Sequence, residues 1–125
     1  MNNQFLYETE CSTIIGAAYD VHNELGNGFL ESVYEEAFAI LMDEKEIPFE
    51  RQRQLKIFFR GRELEKYFIA DFICYNSIIV EIKACETLKS EHMAQMMNYL
   101  KATKKKLGLL INFGSSRVQV KRVIL

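Results

Sequence analysis

The chain has 125 residues, 49% hydrophobic and 26% charged, with a formal net charge of -1. That is enough material for one hydrophobic core, and a single domain over residues 1–125 is expected. The composition excludes a disordered or fibrous chain, and the near-zero charge excludes a global basic field, so any nucleic-acid contact must use a local patch.

The opening "MNNQFLYETE" has no basic region followed by an apolar one, and no apolar run approaches a membrane span. A cytoplasmic protein without a membrane partner is expected. Cys11, Cys74 and Cys85 are an odd number and form no CxxC pair, so they read as reduced, inert thiols rather than a disulfide or zinc framework. Ile14, Ile15, Ala18, Val21 and Leu25 recur at helical spacing, and "GNG" at 26–28 ends that helix. A second helix sets Leu30, Val33, Tyr34, Ala37, Phe38 and Leu41 along its inner side and stops before Pro48.

The period then switches. "RQLKIFFRG", "RELEKYFIADFIC" and "SIIVEIKA" read as three strands of an antiparallel meander. A helix follows in "SEHMAQMMNYLKATKKK", with Ser90 as N-cap and Met93, Met96, Met97 and Leu100 on its buried side. "LGLLINF" and "RVQVKRVIL" close the chain as two strands, the first apolar throughout, as suits a strand covered on both faces. The order ααβββαββ predicts an α/β or α+β sheet with helices packed against it.

Three charges interrupt the apolar strands: Asp71, Glu81 and Lys83. Alternation puts Glu81 and Lys83 on one face and Val80, Ile82 and Ala84 on the other. A three-residue loop of Tyr75, Asn76 and Ser77 sets Asp71 opposite Glu81, whereas a two-residue loop sets it opposite Ile82. The spacing does not fix that register, and the first is favoured. In the first register two carboxylates face each other, which is destabilising unless a cation intervenes. Lys83 is one such cation, and a hard divalent metal, magnesium above all, is another. The plainer reading of the same residues is an exposed Glu81–Lys83 ion pair.

D-x9-E-x-K on a strand hairpin, followed by a helix with Gln95 and Tyr99 (Q-x3-Y), resembles the PD-(D/E)XK nuclease superfamily in its RecB-type branch. "GFLESVY" supplies Gly28, Glu31 and Tyr34, the G-x-x-E-x-x-Y signature of the GxxExxY proteins. The resemblance implies a restriction-endonuclease-like core, a central mixed sheet flanked by helices, with the active site on the hairpin. It implies a nuclease that hydrolyses phosphodiester bonds of DNA or RNA with Mg2+ or Mn2+. On that pattern Asp71 and Glu81 look like metal ligands, with the carbonyl of Ile82 as another. Lys83 looks like the catalytic lysine, and Glu31 like an accessory acid that reaches the metal through water. Gln95 and Tyr99 look like the pair that orients the substrate phosphate or the lysine. Ala70, rather than proline, precedes Asp71.

Other residues carry weaker signals. Lys101, Lys104, Lys105 and Lys106 suit a helix C-terminus and also a nucleic-acid backbone, and Arg51, Arg53, Arg60 and Arg62 add charge around the first hairpin. His92 reads as an exposed or capping side chain, and His22 as structural. Tyr34 reads either as core or as a brace for Glu31. Glu35 and Glu36 read as a solvated helix face. Two further function classes stay in play: a non-catalytic module binding nucleic acid or a protein partner, and a structural subunit forming a homodimer through its sheet edge.

Overall fold

The computed structural model describes residues 6–125. Helix α1 runs over Glu8–Leu25 and helix α2 over Glu31–Glu44. The inner face of α1 carries Cys11, Ile14, Ala17, Ala18 and Val21. The helix stops at Gly26, whose φ of 70° turns the chain out while its N–H donates to the His22 carbonyl at 2.8 Å. Gly28, with φ of 112°, completes the turn into α2 in a region that only glycine occupies without strain.

The buried stripe of α2 is Tyr34, Phe38, Ala39 and Met42. This corrects the expected inner face, because Leu30 is 75% exposed and Val33 is 37% exposed. Leu30 is the N-cap, extended rather than helical, so helical spacing does not apply to it. Val33 lies one residue, about 100°, round the helix from Tyr34. The Tyr34 ring stacks on Phe113 with centroids 4.9 Å apart, and that contact fixes which face turns inward.

Five strands form one sheet in the order β1-β2-β3-β4-β5: Phe49–Phe59, Arg62–Cys74, Ile78–Lys83, Leu107–Asn112 and Gln119–Ile124. β3 and β4 are parallel and the other pairs antiparallel. Helix α3, Ser90–Thr103, makes the crossover from β3 to β4. The architecture is therefore the expected α+β mixed sheet in the order ααβββαββ. β1 begins at Phe49, four residues before the "RQLKIFFRG" run at Arg53. Lys89, not Ser90, is the N-cap of α3, and its N–H donates to Nδ1 of His92 at 3.0 Å. His92 thus caps the helix, one of the two roles expected for it.

Each face of the sheet has its own core. Ile78, Val80 and Ile82 join Phe38, Phe72 and Phe113 on the α1–α2 side, while Ile79 joins Ala70, Met96, Leu100 and Leu110 on the α3 side. Covering both faces explains why β3 and β4 are so apolar, each fully buried Ile or Leu being worth about 1.5–3 kcal/mol. β1 and β2 change sides partway along. Phe49 and Phe72 pack on the α1–α2 core, but Leu55 and Ala70 belong to the α3 core. The crossing point is Gln52 on β1 and Asp71 on β2, which the pairing register skips. Beyond it the hairpin exposes Phe58, Phe59, Leu64, Tyr67 and Ile69.

Among the described residues, no helix is long and apolar enough to cross a membrane. All three cysteines are free, and burial pushes the Cys74 thiol up to about 12, which keeps it inert.

Candidate active site

The β2–β3 hairpin pairs Cys74 with Ile78, Ile73 with Ile79 and Phe72 with Val80. Tyr75, Asn76 and Ser77 are therefore the connecting loop, with Tyr75 and Asn76 in left-handed conformations. One further step of this register sets Asp71 opposite Glu81, the alternative favoured from the sequence. There β2 begins to leave β3, and side chains replace the ladder. The Asp71 N–H donates to Oε1 of Glu81 at 3.2 Å, and the Ile82 N–H donates to Oδ2 of Asp71 at 2.8 Å.

Glu81 is only 7% exposed. Burial, then the charge of Asp71 and a hydrogen bond with it, pushes its carboxyl from the ordinary 4.5 to about 9, with Lys83 opposing the shift. The pair thus holds a proton at neutral pH, as two crowded carboxyls do when no cation separates them. Lys83 follows on the same strand face and is half-buried. The exposed Glu81–Lys83 ion pair does not describe this site, because Glu81 is buried against Asp71.

Glu31 is the first residue of α2. Burial raises its pKa, Lys83 lowers it, and Asp71 and Glu35 raise it, so its carboxylate lies in the field of the hairpin charges. Tyr99 is buried on α3, its ring 4.5 Å from that of Phe68. Its hydroxyl pKa is raised by burial and then by the charges of Glu81 and Asp71. Gln95 is exposed one turn earlier on the same helix. Asp71, Glu81, Lys83, Glu31 and Tyr99 thus share one electrostatic field, and Gln95 is exposed on the helix that carries Tyr99. Among the described residues, no three His, Cys, Asp or Glu side chains are close enough to hold one metal ion by themselves.

The G-x-x-E-x-x-Y signature divides its labour. Gly28 makes the turn. The Tyr34 hydroxyl donates to the Gly26 carbonyl at 2.5 Å and accepts the Phe29 N–H at 3.3 Å. Tyr34 is therefore core with a satisfied hydroxyl, and it stabilises the loop that delivers Glu31. His22 is structural, as expected, with Nε2 donating to the Ser115 carbonyl at 3.0 Å.

Three neighbours of the site had no signal in spacing. Glu35 is not a solvated residue like Glu36: its side chain is 14% exposed and accepts from Arg51 Nε at 3.4 Å and from Gln52 Nε2. Gln52 Nε2 also reaches Oδ1 of Asp71 at 3.4 Å. Asn112, fully buried at the end of β4, holds the loop that follows Lys83. Its Oδ1 accepts the N–H groups of Cys85 and Gly114, each at 3.0 Å, and its Nδ2 donates to the Cys85 carbonyl at 2.8 Å. A buried Asn in an apolar strand is the one mark that pointed toward such a role.

Comparison with known proteins agrees with this geometry. A search of curated proteins finds no match. Among solved structures, the crystal structure of SSO0001 is similar, with a TM-score of 0.58 and 21% sequence identity over 94% of this chain. The likeness supports the restriction-endonuclease-like fold, and the chain spans 59% of the length of that protein. The model of the PD-(D/E)XK nuclease superfamily matches residues 8–123, the stretch that carries the paired acids, the lysine and the helix behind them. This chain belongs to the PD-(D/E)XK nuclease superfamily.

Proposed function

We propose that this chain is a metal-dependent nuclease of the GxxExxY family, in the RecB-type branch, that hydrolyses phosphodiester bonds of DNA. One observation carries the reading. Asp71 and Glu81 are crowded together at a break in the sheet, and burial with the charge of Asp71 pushes the Glu81 carboxyl up to about 9. A pair built only for stability would gain from apolar replacements at such a buried position. A pair built to receive a divalent cation has to be crowded in this way.

The donor set fits Mg2+ or Mn2+. Asp71, Glu81 and the carbonyl of Ile82 would supply hard oxygen ligands, and Glu31 would act through water. When bound, such a cation polarises a phosphoryl oxygen and lowers the pKa of an attacking water. The chain's own part is to release the Glu81 proton on loading and to hold both acids by the N–H groups of Asp71 and Ile82. Lys83 sets its ammonium beside the charge that develops on the phosphate, and Gln95 and Tyr99 orient a non-bridging phosphate oxygen.

A basic cleft supports a nucleic-acid substrate. Arg53, Lys56 and Lys105 line a hollow of about 300 Å3 between β1 and the end of α3. Burial and then the charge of Arg53 lower the pKa of Lys105, with Glu50 opposing them.

The test is incubation of the purified chain with single- and double-stranded DNA and RNA, with Mg2+, with Mn2+ and with chelator. Cleavage that requires metal and drops by at least roughly 100-fold in Lys83→Ala and Asp71→Ala is expected. Metal-independent nucleic-acid binding without turnover of any substrate would assign a non-catalytic binding module instead.

A further inference from the structure

Gln52 is a non-glycine residue with a left-handed backbone, φ 54°, in the middle of a strand. L-residues avoid that region, and in a strand it breaks the alternation of side chains. The break is at the site. The register runs from Arg51 opposite Phe72 to Arg53 opposite Ala70, leaving Gln52 across from Asp71. On either side of this step the hairpin packs on different faces of the sheet. Arg51, before it, reaches Glu35 on α2, and Arg53, after it, lines the cleft beside α3.

The strained backbone aims a side chain. Nε2 of Gln52 donates to Oε1 of Glu35 and to Oδ1 of Asp71, the latter at 3.4 Å. Glu35 and Asp71 are like charges on separate elements, and a neutral group with two N–H donors joins them without adding charge. Asp71 is then held at both oxygens, since Oδ2 already accepts the Ile82 N–H. Glu31 lies one turn before Glu35 on α2, so the same bridge sets its approach to the hairpin.

We infer that Gln52 is a positioning residue of the metal site, bridging Asp71 to Glu35 and thereby setting α2 and its Glu31 against the β2–β3 hairpin. The inference rests on the metal-dependent reading above. It explains why glutamine, and not the glycine that the backbone favours, occupies the crossing point.

Substitution separates the amide from the strain. Gln52→Gly removes the amide and relieves the backbone, while Gln52→Ala removes the amide and keeps the strain. Mn2+ affinity of the full chain, measured by calorimetry without substrate, is expected to weaken 10- to 100-fold in both. Gln52→Gly should melt no lower than wild type, so a folding defect would not account for its loss. A wild-type affinity in Gln52→Gly overturns the assignment alone. Failure of the wild-type chain to take up Mn2+ overturns the metal reading and this assignment together. A second readout needs no metal: the Gln52 side-chain amide resonances should shift in Glu35→Ala and in Asp71→Asn, but not in Glu36→Ala. A spectrum in which neither of the first two variants moves them overturns the bridge.

Discussion

Asp71 and Glu81 face each other where the β2–β3 ladder ends, and the N–H of Asp71 donates to Oε1 of Glu81 at 3.2 Å. Each acid is therefore fixed by backbone as well as crowded by its partner. This one relationship couples the stability of the fold to the protonation of Glu81.

The first consequence is a pH dependence of the metal-free chain. Glu81 has a folded pKa of about 9 against an ordinary 4.5. A raised folded pKa contributes stability below the unfolded value, and that contribution is lost as pH rises to the folded one. Stability in chelator should fall between about pH 4.5 and pH 9, by up to about 1.4 kcal/mol per pH unit. Urea denaturation at pH 5 and pH 8.5 checks this. Saturating Mg2+ should flatten the slope, and calorimetry in buffers of different ionisation enthalpy should show a proton released on binding.

Glu81→Gln should stabilise the metal-free chain while silencing it. The amide removes the buried ionisable group and its conflict with Asp71. At pH 8 in chelator the gain should be about 1–3 kcal/mol, with nuclease turnover reduced by at least roughly 100-fold. A variant less stable than wild type would mean that Glu81 serves the fold.

Tyr34→Phe tests the division of labour in the signature. The hydroxyl lost is bonded to the Gly26 carbonyl and the Phe29 N–H. Chemical denaturation should show a loss of about 1–2 kcal/mol. Turnover at a temperature where the variant is folded should change by less than roughly tenfold, since Tyr34 does not touch the reacting groups.

The loop after Lys83 should be intolerant of small changes. Asn112→Ala leaves the Cys85 and Gly114 N–H groups without their acceptor, at about 2–4 kcal/mol. A Cβ on Gly114 would lie 2.4 Å from the backbone N and O of Cys85, so Gly114→Ala must displace that backbone. Thermal melts of both variants measure the cost, and lower turnover by folded protein would show that the loop positions Lys83.

The basic cleft predicts a salt signature. In chelator, which uncouples binding from cleavage, Arg53→Ala and Lys105→Ala should each weaken duplex binding. Each should also reduce the slope of log affinity against log salt by about one. Fluorescence anisotropy across a salt series measures this, and an unchanged slope would remove the cleft from the nucleic-acid path.

Local chemistry along the chain determined a large part of this protein. Period and turn residues locate the helices and strands to within a few residues, and the hairpin spacing narrows the position of Asp71 to two registers, opposite Glu81 or opposite Ile82. These are short-range properties, readable because strand alternation and hairpin closure involve neighbours in sequence. Tertiary structure alone decided the rest. Leu30 and Val33 turned outward because the stacking of Tyr34 on Phe113, 79 positions away, oriented α2. Glu35 is joined to Asp71 through Gln52, whose left-handed backbone breaks the side-chain alternation of β1, a backbone state that no spacing announces. The Glu81 proton depends on burial and on the field of Asp71, and both arise only when distant segments pack together. Spacing can therefore name the acids, but the charge they carry is a property of the assembled fold.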